Sequence, residues 1–400
     1  MNLTPARTRF ALIALALGGF GIGATEFAAM GLLPDLARDL LPDLYAASPE
    51  EANARAGWLI SAYALGVVVG APTIAALVAR FPRKAVLLAL AVAFTVGTVA
   101  SALAPTFETV LVARFLAGLP HGAYFGVAQL VAASLVGPER RGRAAAFVLS
   151  GLTIANVVGV PLITLLGQSA GWRVSYLVVA ALFALTFVAV WLAVPRQPGD
   201  PRATLRREVY AFRRPQVWLA LATGAIGFGG FFAVFSYVAP IITEVTGLDA
   251  AAVPMILVAI GIGMTVGNFA GGRAADHHVM GSIFLFFGVL GGALLGLALT
   301  AQFLAGALVF LVLLGFASSA LSPAIQTRLM DIAGDSQTLA AAGNHAALNI
   351  GNSLGAWLGG VTIAAGLGYL APAWVGLALC ATGATIALAS VLAGRRSILP

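Results

Sequence analysis

Charge is what this chain has least of. Of its 400 residues, 9% are Asp, Glu, Lys or Arg, against 60% hydrophobic, and the mean hydropathy is +0.98. Soluble domains carry about 25% charged residues, so this composition excludes an ordinary soluble domain and places the chain in a bilayer. Cysteine is nearly absent too. The single Cys380 excludes an internal disulfide and a multi-cysteine metal site, and its apolar run reads as helix core. Strand alternation is missing, and the apolar segments far exceed the roughly 10-residue strands of an outer-membrane barrel. The spans are therefore helical, because a helix satisfies its own backbone groups in lipid. No phosphate loop, metal cluster or nucleophile–base pair stands in the sequence. Gly261-Ile-Gly263 and similar pairs lie inside apolar runs, without the strand–turn–helix setting of a nucleotide site. No cofactor is expected, ATP-driven pumping is disfavoured, and a membrane enzyme or a non-transporting receptor would need a cluster that is not visible. Lysine occurs once beside 21 arginines, which points to a GC-rich bacterial genome and hence to a bacterial cytoplasmic (inner) membrane.

What is present is a series of long apolar runs, each near the roughly 20 residues a spanning helix needs. Twelve are read, at 10–34, 56–79, 85–104, 108–136, 144–169 and 173–194, then 216–244, 251–272, 282–300, 304–329, 339–366 and 371–394. Breaks such as Arg80-Phe-Pro-Arg-Lys84 and Gly137-Pro-Glu-Arg-Arg-Gly-Arg143 carry turn and charge residues. The longest polar break, with six arginines between 196 and 214, divides the chain into a first six-helix half (1–194), a basic linker (195–215) and a second half (216–400). Within it, Ala203 to Arg214 reads either as a basic interfacial helix or as a flexible linker. Met1 to Arg9 and the run after it resemble a signal peptide, but the run is too long and more spans follow, so it reads as an uncleaved first helix.

The net charge of +7 does not imply a nucleic-acid partner, because the basic residues sit in short segments between apolar runs. Eighteen of the 22 fall on the side of both termini, three fall opposite, and Arg114 lies inside a span. That bias places both termini in the cytoplasm. The halves also resemble each other. Gly66-x-x-x-Gly70 and its loop align with Gly263-x-x-x-Gly267 and its loop at a constant offset of 197 residues, as a duplicated unit would.

Glu26 is the anomaly of the first run. A carboxylate well inside an apolar span is expensive and faces a polar cavity or a partner, so Glu26 reads as a proton-handling residue. Arg114 is the interior charge of opposite sign. At 1.5 Å per residue, Glu26 lies roughly 11 Å from the end of its span and Arg114 roughly 9 Å from the same side. The two are at similar depth; if they pair, protonating Glu26 releases Arg114. The alternative is a fixed ion pair that only joins two helices. Arg114, Gly118, His121, Gly122, Phe125 and Gln129 share one face of the fourth span, which should line a cavity. There His121 either relays protons or is a neutral, satisfied histidine.

The remaining wall residues are Phe27, Met30 and Tyr124 in the first half with Asn156 of the fifth span, and Phe232, Phe235 and Tyr237 around the seventh. Ser319 and Ser322 of the tenth span complete it with His345 and Asn349 of the eleventh. Asn344, Asn349 and Asn352 could bind substrate hydroxyls or hold helices together. A largely apolar, aromatic wall with a few hydroxyls suits a neutral or amphipathic substrate.

Several segments resemble the major facilitator superfamily, and within it the twelve-helix drug and sugar efflux group of proton antiporters, the sugar-efflux branch included. Ala24-Thr-Glu-Phe-Ala-Ala-Met-Gly-Leu-Leu-Pro34 looks like that group's acidic first helix. Leu111-Val-Ala-Arg114-Phe-Leu-Ala-Gly118 matches its fourth-helix motif, whose arginine the resemblance implicates in proton coupling. Gly151, Gly159, Pro161 and Gly167 resemble the fifth-helix antiporter motif, with Val160 interposed. In the gating loop after the second span, Arg80, Arg83 and Lys84 remain, but Ala75 and Ala79 replace the expected Gly and Asp; the second-half copy keeps Gly272 and Asp276. The resemblance implies an all-α membrane protein of two pseudo-symmetric six-helix bundles. It would act as a monomer, exchanging protons for a small drug-like or sugar substrate by alternating access. The alternative within transport is a sugar or nucleoside carrier working by uptake or uniport.

Overall fold

The computed structural model describes residues 4–78, 80–137, 140–199, 214–333 and 337–396. Among them run twelve helices long and apolar enough to cross a membrane. In the first half these are α1 Pro5–Gly31, α2 Pro49–Ile74, α3 Arg83–Leu103, α4 Phe107–Val136, α5 Arg143–Ala170 and α6 Trp172–Ala193. In the second they are α7 Pro215–Phe235, α8 Ala250–His277, α9 Val279–Thr300, α10 Leu304–Ile332, α11 Gly343–Leu367 and α12 Ala371–Ala393. The expected twelve spans are present. The basic helix expected from Ala203 lies, up to residue 213, outside the described residues, as does Ala79.

Local chemistry sets the ends. Ser48 caps α2 by accepting from the Glu51 amide, with Pro49 opening the helix and Glu50 and Glu51 favouring its positive end. That cap starts α2 earlier than its apolar run. Thr106 and Thr109 form a capping box at α4. Gly137 and Gly171 take positive φ of 86° and 92° where α4 and α5 stop. Between α1 and α2 lie two short helices that the sequence reading left as loop, Leu33–Leu40 and Pro42–Ala47. Asp39 ties the first of them to Arg173 and Trp172 at the start of α6.

The turns among the described residues fall on two faces: a terminal face, where Thr4 and Arg396 lie, and a distal face opposite. Lipid is the natural solvent of the flanks, where Leu77, Leu103, Leu192 and Met255 are each more than 60% exposed. In the first half, α1 packs on α5 and α6 while α2 packs on α4; in the second, α7 packs on α11 and α12 while α8 packs on α10. The internal repeat is carried by these contacts. Gly66 and Gly70 of α2 abut the carbonyls of Phe115 and Leu119 on α4, and Gly118 of α4 abuts that of Tyr63. Moved by the same 197 residues, Gly263 and Gly267 of α8 abut Val312 and Phe316 of α10, and Gly315 abuts Ile260. A Cβ at any of these six would approach a carbonyl oxygen to 3.0 Å or less, so glycine sets the helix spacing.

The halves meet along α2–α11 and α5–α8. Four side-chain hydrogen bonds cross between them among the described residues: Asn53 to Tyr369 (2.8 Å), Ser61 to the Ser353 carbonyl (3.1 Å), Gln168 to the Ala250 carbonyl (2.9 Å) and Asn352 to Glu26 (3.3 Å). All lie at the depth of Glu26 or distal to it. One continuous core of Phe27, Met30, Leu36, Phe231, Tyr237 and Leu257 joins the two halves there. A second core, with Leu15, Phe94 and Phe183, belongs to the first half alone. In this state the distal face is shut.

Candidate transport site

Glu26 stands in the middle of that junction, 5% exposed. Its Oε1 accepts from Nδ2 of Asn352, which is 1% exposed, on α11 of the other half. Gly351 and Gly355 nest α11 against the Gly229 region of α7, leaving the neighbouring Asn352 turned toward α1. Arg114 reaches the residue beside Glu26. Its Nη1 donates to Thr25 Oγ1 at 3.2 Å and its Nη2 to the Thr25 carbonyl at 3.1 Å. The guanidinium lies 4.4 Å from the Tyr63 ring centre and 5.4 Å from that of Tyr176. Two ring faces stabilise a cation that is 1% exposed.

Glu26 and Arg114 therefore share a depth, as the rise per residue predicts, but do not form an ion pair. The ion pairs among the described residues are Arg38–Asp35 and Arg173–Asp39, both at the distal face. The physical reason is that Thr25 and the two tyrosines hold the guanidinium while Glu26 turns to α11. Tyr63 and Tyr176 are neighbours of Arg114 that the sequence reading missed. The signal available was a tyrosine in an apolar run, whose hydroxyl needs a partner.

The Tyr63 hydroxyl lies 3.3 Å from His121 Nδ1. His121 is 2% exposed and tilts against Phe125 at 5.4 Å; Phe125 in turn stacks on His345 of α11 at 5.6 Å. The α4 face that carries Arg114, His121 and Phe125 does not line an open cavity here. It packs on α2, with Gly118 against Tyr63 and Gly122 against Ala71. Gln129, further toward the terminal face, is half-buried.

Phe27 meets Phe235 edge-on at 5.9 Å, Phe235 stacks on Phe231 at 4.8 Å and Phe231 meets Phe232 edge-on at 5.1 Å, so α1 and α7 share an aromatic cluster beside Glu26. Met30 is fully buried in it. Ser319 and Ser322 are half-buried on α10, and Asn349 donates to the His345 carbonyl of its own helix. The carbonyl oxygens of Asn344, Asn349 and Asn352 have no partner, which leaves three buried acceptors on α11.

Two expected wall residues sit elsewhere. Tyr124 donates to the Leu15 carbonyl and fills the space over Gly18 in the core of the first half. Tyr237 donates to the Ala356 carbonyl at 2.7 Å, with Gly57 and Gly360 against its hydroxyl, so it clasps the distal ends of α2 and α11. The antiporter-motif residues run along α1. Gly151 abuts the Ala16 carbonyl, Gly159 the Phe20 ring and Gly167 the Leu32 side chain. Pro161 lacks the amide hydrogen that the Val157 carbonyl would need, and α5 widens into a π turn over Ala155–Gly159. Asn156 lies in that turn, its carbonyl against Gly261 of α8. In the loop after α2, the Arg83 amide donates to the Gln197 carbonyl and Lys84 to the Trp191 carbonyl, which pins the loop to the end of α6. Arg80 lies over Phe81, and Asp276 is exposed.

A groove that the sequence did not reveal opens sideways between α2 and α11, with a volume of about 490 Å³. Trp58 and Trp357 stand on it, with Ser61, Leu111 and Ser353 also lining it.

Comparison with known proteins places this geometry in a family. A sequence model of the Major Facilitator Superfamily matches residues 15–307. The chain is 39% identical over 363 residues to the inner membrane transport protein YdhP of Escherichia coli (strain K12), covering 91% of each. It is 33% identical over 390 residues to a chloramphenicol resistance protein of Streptomyces lividans, covering 96% of this chain and 95% of that one. The fold matches the solved human organic anion transporter MFSD10 with a TM-score of 0.69 at 15% identity, over 96% of this chain and 100% of that chain.

Proposed function

The chain belongs to the major facilitator superfamily, and from that premise we propose that it is a proton-coupled exporter of small neutral or amphipathic molecules. The observation that carries this reading is Glu26, a buried carboxylate at the junction of the halves, bonded across it. A carboxyl there can take up a proton when one face is open and release it when the other is, which is what exchange by alternating access requires. Arg114 is the fixed charge that biases this site through Thr25. His121, bonded to Tyr63, extends the polar path toward the terminal face. The arginine bias puts the terminal face in the cytoplasm. With the distal face shut, substrate enters from the cytoplasm, and protons from outside drive its exit.

The aromatic cluster of Phe27, Phe231, Phe232 and Phe235 supports a substrate with an apolar body, and the free amide oxygens of α11 support a few hydroxyl or amide donors on it. Chloramphenicol, named in one relative, has that character. The same oxygens favour a sugar as the second reading. The test is a panel of chloramphenicol and simple sugars in proteoliposomes with an imposed pH gradient. The gradient should accelerate flux of at least one compound in the wild type. In Glu26→Gln, flux should fall to the rate without a gradient. Equal gradient-driven flux in both proteins would end the proton role of Glu26.

A further inference from the structure

We propose that Asn352 is the coupling partner of Glu26, an amide that keeps the empty, deprotonated carrier closed on its distal face. This rests on Glu26 as the proton site and adds the residue that converts its charge into a conformational preference. Exchange has one strict requirement. The carrier must change faces when it holds a proton or a substrate, and must not do so when it holds neither. Otherwise substrate crosses without protons moving the other way. Something must therefore stabilise the closed distal face in that one state.

Four side-chain hydrogen bonds cross between the halves among the described residues. Three join neutral groups: an amide with a phenol, a hydroxyl with a carbonyl, and an amide with a carbonyl. Only Asn352 to Glu26 ends on a carboxylate. A bond to an ionised acceptor is about twice as strong as one between neutral groups, so this tie is strongest when Glu26 carries no proton. Both side chains are buried, so water does not replace the bond when it weakens. Substrate can break it too, by taking the Asn352 amide for itself.

The charged and titratable groups around Glu26 do not duplicate this link. Arg114 of α4 is held by Thr25, a residue of its own half, and does not reach α11. Tyr63 of α2 and Tyr176 of α6 flank Arg114 with their rings, and His121 bonds to Tyr63. His345 lies two turns from Asn352 and stacks on Phe125. The stretches of α5, α7 and α8 at this depth bear no titratable side chain. On α11, His345 meets the first half by stacking on Phe125 and does not touch Glu26, which leaves Asn352 as the hydrogen-bonded contact through which the Glu26 proton reaches α11.

The test reads the empty carrier and needs no substrate. Spin labels at Glu108→Cys and Gln302→Cys, both exposed on distal rims of the two halves, are placed in a Cys380→Ala background. Their distance distribution is measured in lipid nanodiscs at pH 8 and pH 5. The wild type should be closed at pH 8 and gain a long-distance population at pH 5. Glu26→Gln should show that population at both values. Asn352→Leu should also show it at both, with the open-to-closed ratio at pH 8 raised by about ten-fold or more, as losing a charge-assisted bond predicts. Asn352→Gln, which keeps the amide, should restore part of the pH response. Asn352→Ser serves the same purpose if the leucine variant does not fold. A pH response in Asn352→Leu equal to that of the wild type overturns the role of Asn352 and leaves Glu26 standing. Distances that do not change with pH in the wild type and in Glu26→Gln overturn both. Shortening at pH 5 overturns the sign, since a protonated Glu26 would then be donating to the free Asn352 Oδ1 and tightening the tie.

Discussion

Arg114 raises the sharpest question at the scale of a residue, because it is a buried cation without a carboxylate. Two bonds to Thr25 and two ring faces compensate it, and its Nε has no partner. Replacing a whole buried ion pair with apolar side chains of similar volume is often neutral or stabilising, by about 1–4 kcal/mol, and removing Arg114 strands no salt-bridged carboxylate. Arg114→Met should therefore hold or raise the melting temperature in detergent while gradient-driven flux is lost. A destabilised variant would show instead that the guanidinium holds α1 to α4. Arg114→Lys should fail in the same flux assay, since one ammonium cannot reproduce the planar fork or the stacking between Tyr63 and Tyr176. Hydropathy located Glu26 and Arg114, because any charge in an apolar run stands out, and their common depth needed only the helical rise. Their azimuth was not legible. Which way each side chain turns depends on α2, α6 and α11, and the sequence of α1 or α4 carries none of that.

Helix contacts show the same division between what a segment states about itself and what its neighbours decide. The Gly66 and Gly263 repeats were readable as spacing, and their carbonyl partners follow at the same interval. Gly267 and Gly272 separate the packing glycines from the incidental ones. A Cβ on Gly267 would lie 2.1 Å from the Phe316 carbonyl oxygen, whereas nothing lies within 4 Å of one on Gly272. Gly267→Ala should push α8 from α10 and cost about 1–3 kcal/mol, and Gly272→Ala should be neutral or gain up to about 1 kcal/mol. Thermal unfolding of the two variants, followed by size-exclusion fluorescence, checks the difference. Pro42–Ala47 is too short to show a helical period and Leu41-Pro42 reads as a break, whereas Leu33–Leu40 carries the period in Leu33, Leu36, Ala37 and Leu40 but lies at the polar end of the first apolar run. Tyr124 and Tyr237 were placed on the cavity wall for a related reason. Periodicity assigns a face of a helix, but Leu15 and Ala356, which receive their hydroxyls, lie on other helices.

Over the whole molecule, the twelve spans and the two-fold plan were legible because bilayer thickness and duplication both write themselves into the chain at long range. The conformational state was not, since two states of one carrier share a sequence. That state follows from where the halves are tied. Among the described residues, the side-chain hydrogen bonds between them lie at Glu26 or beyond it on the distal side, and Tyr237 clasps Gly57 and Gly360 there. Toward the terminal face the pair Phe125–His345 spans the halves by stacking alone. An aromatic pair contributes about 0.5–1.5 kcal/mol beyond the area it buries, less than several buried hydrogen bonds and a continuous core. The terminal side should therefore part first, and transport should require the distal side to part in its turn. Gln168 and Ala250 offer a way to prevent that, since the Gln168 side chain donates to the Ala250 carbonyl across α5 and α8. Both positions are accessible. Gln168→Cys and Ala250→Cys in a Cys380→Ala background should form a disulfide on oxidation. Gradient-driven flux of the proteoliposome probe should stop, and a reductant should restore it. The single-cysteine variants, oxidised in parallel, should keep their flux. Full flux through the cross-linked protein would mean that this face does not open along α5–α8, and that the halves move by some path other than rocking about Glu26.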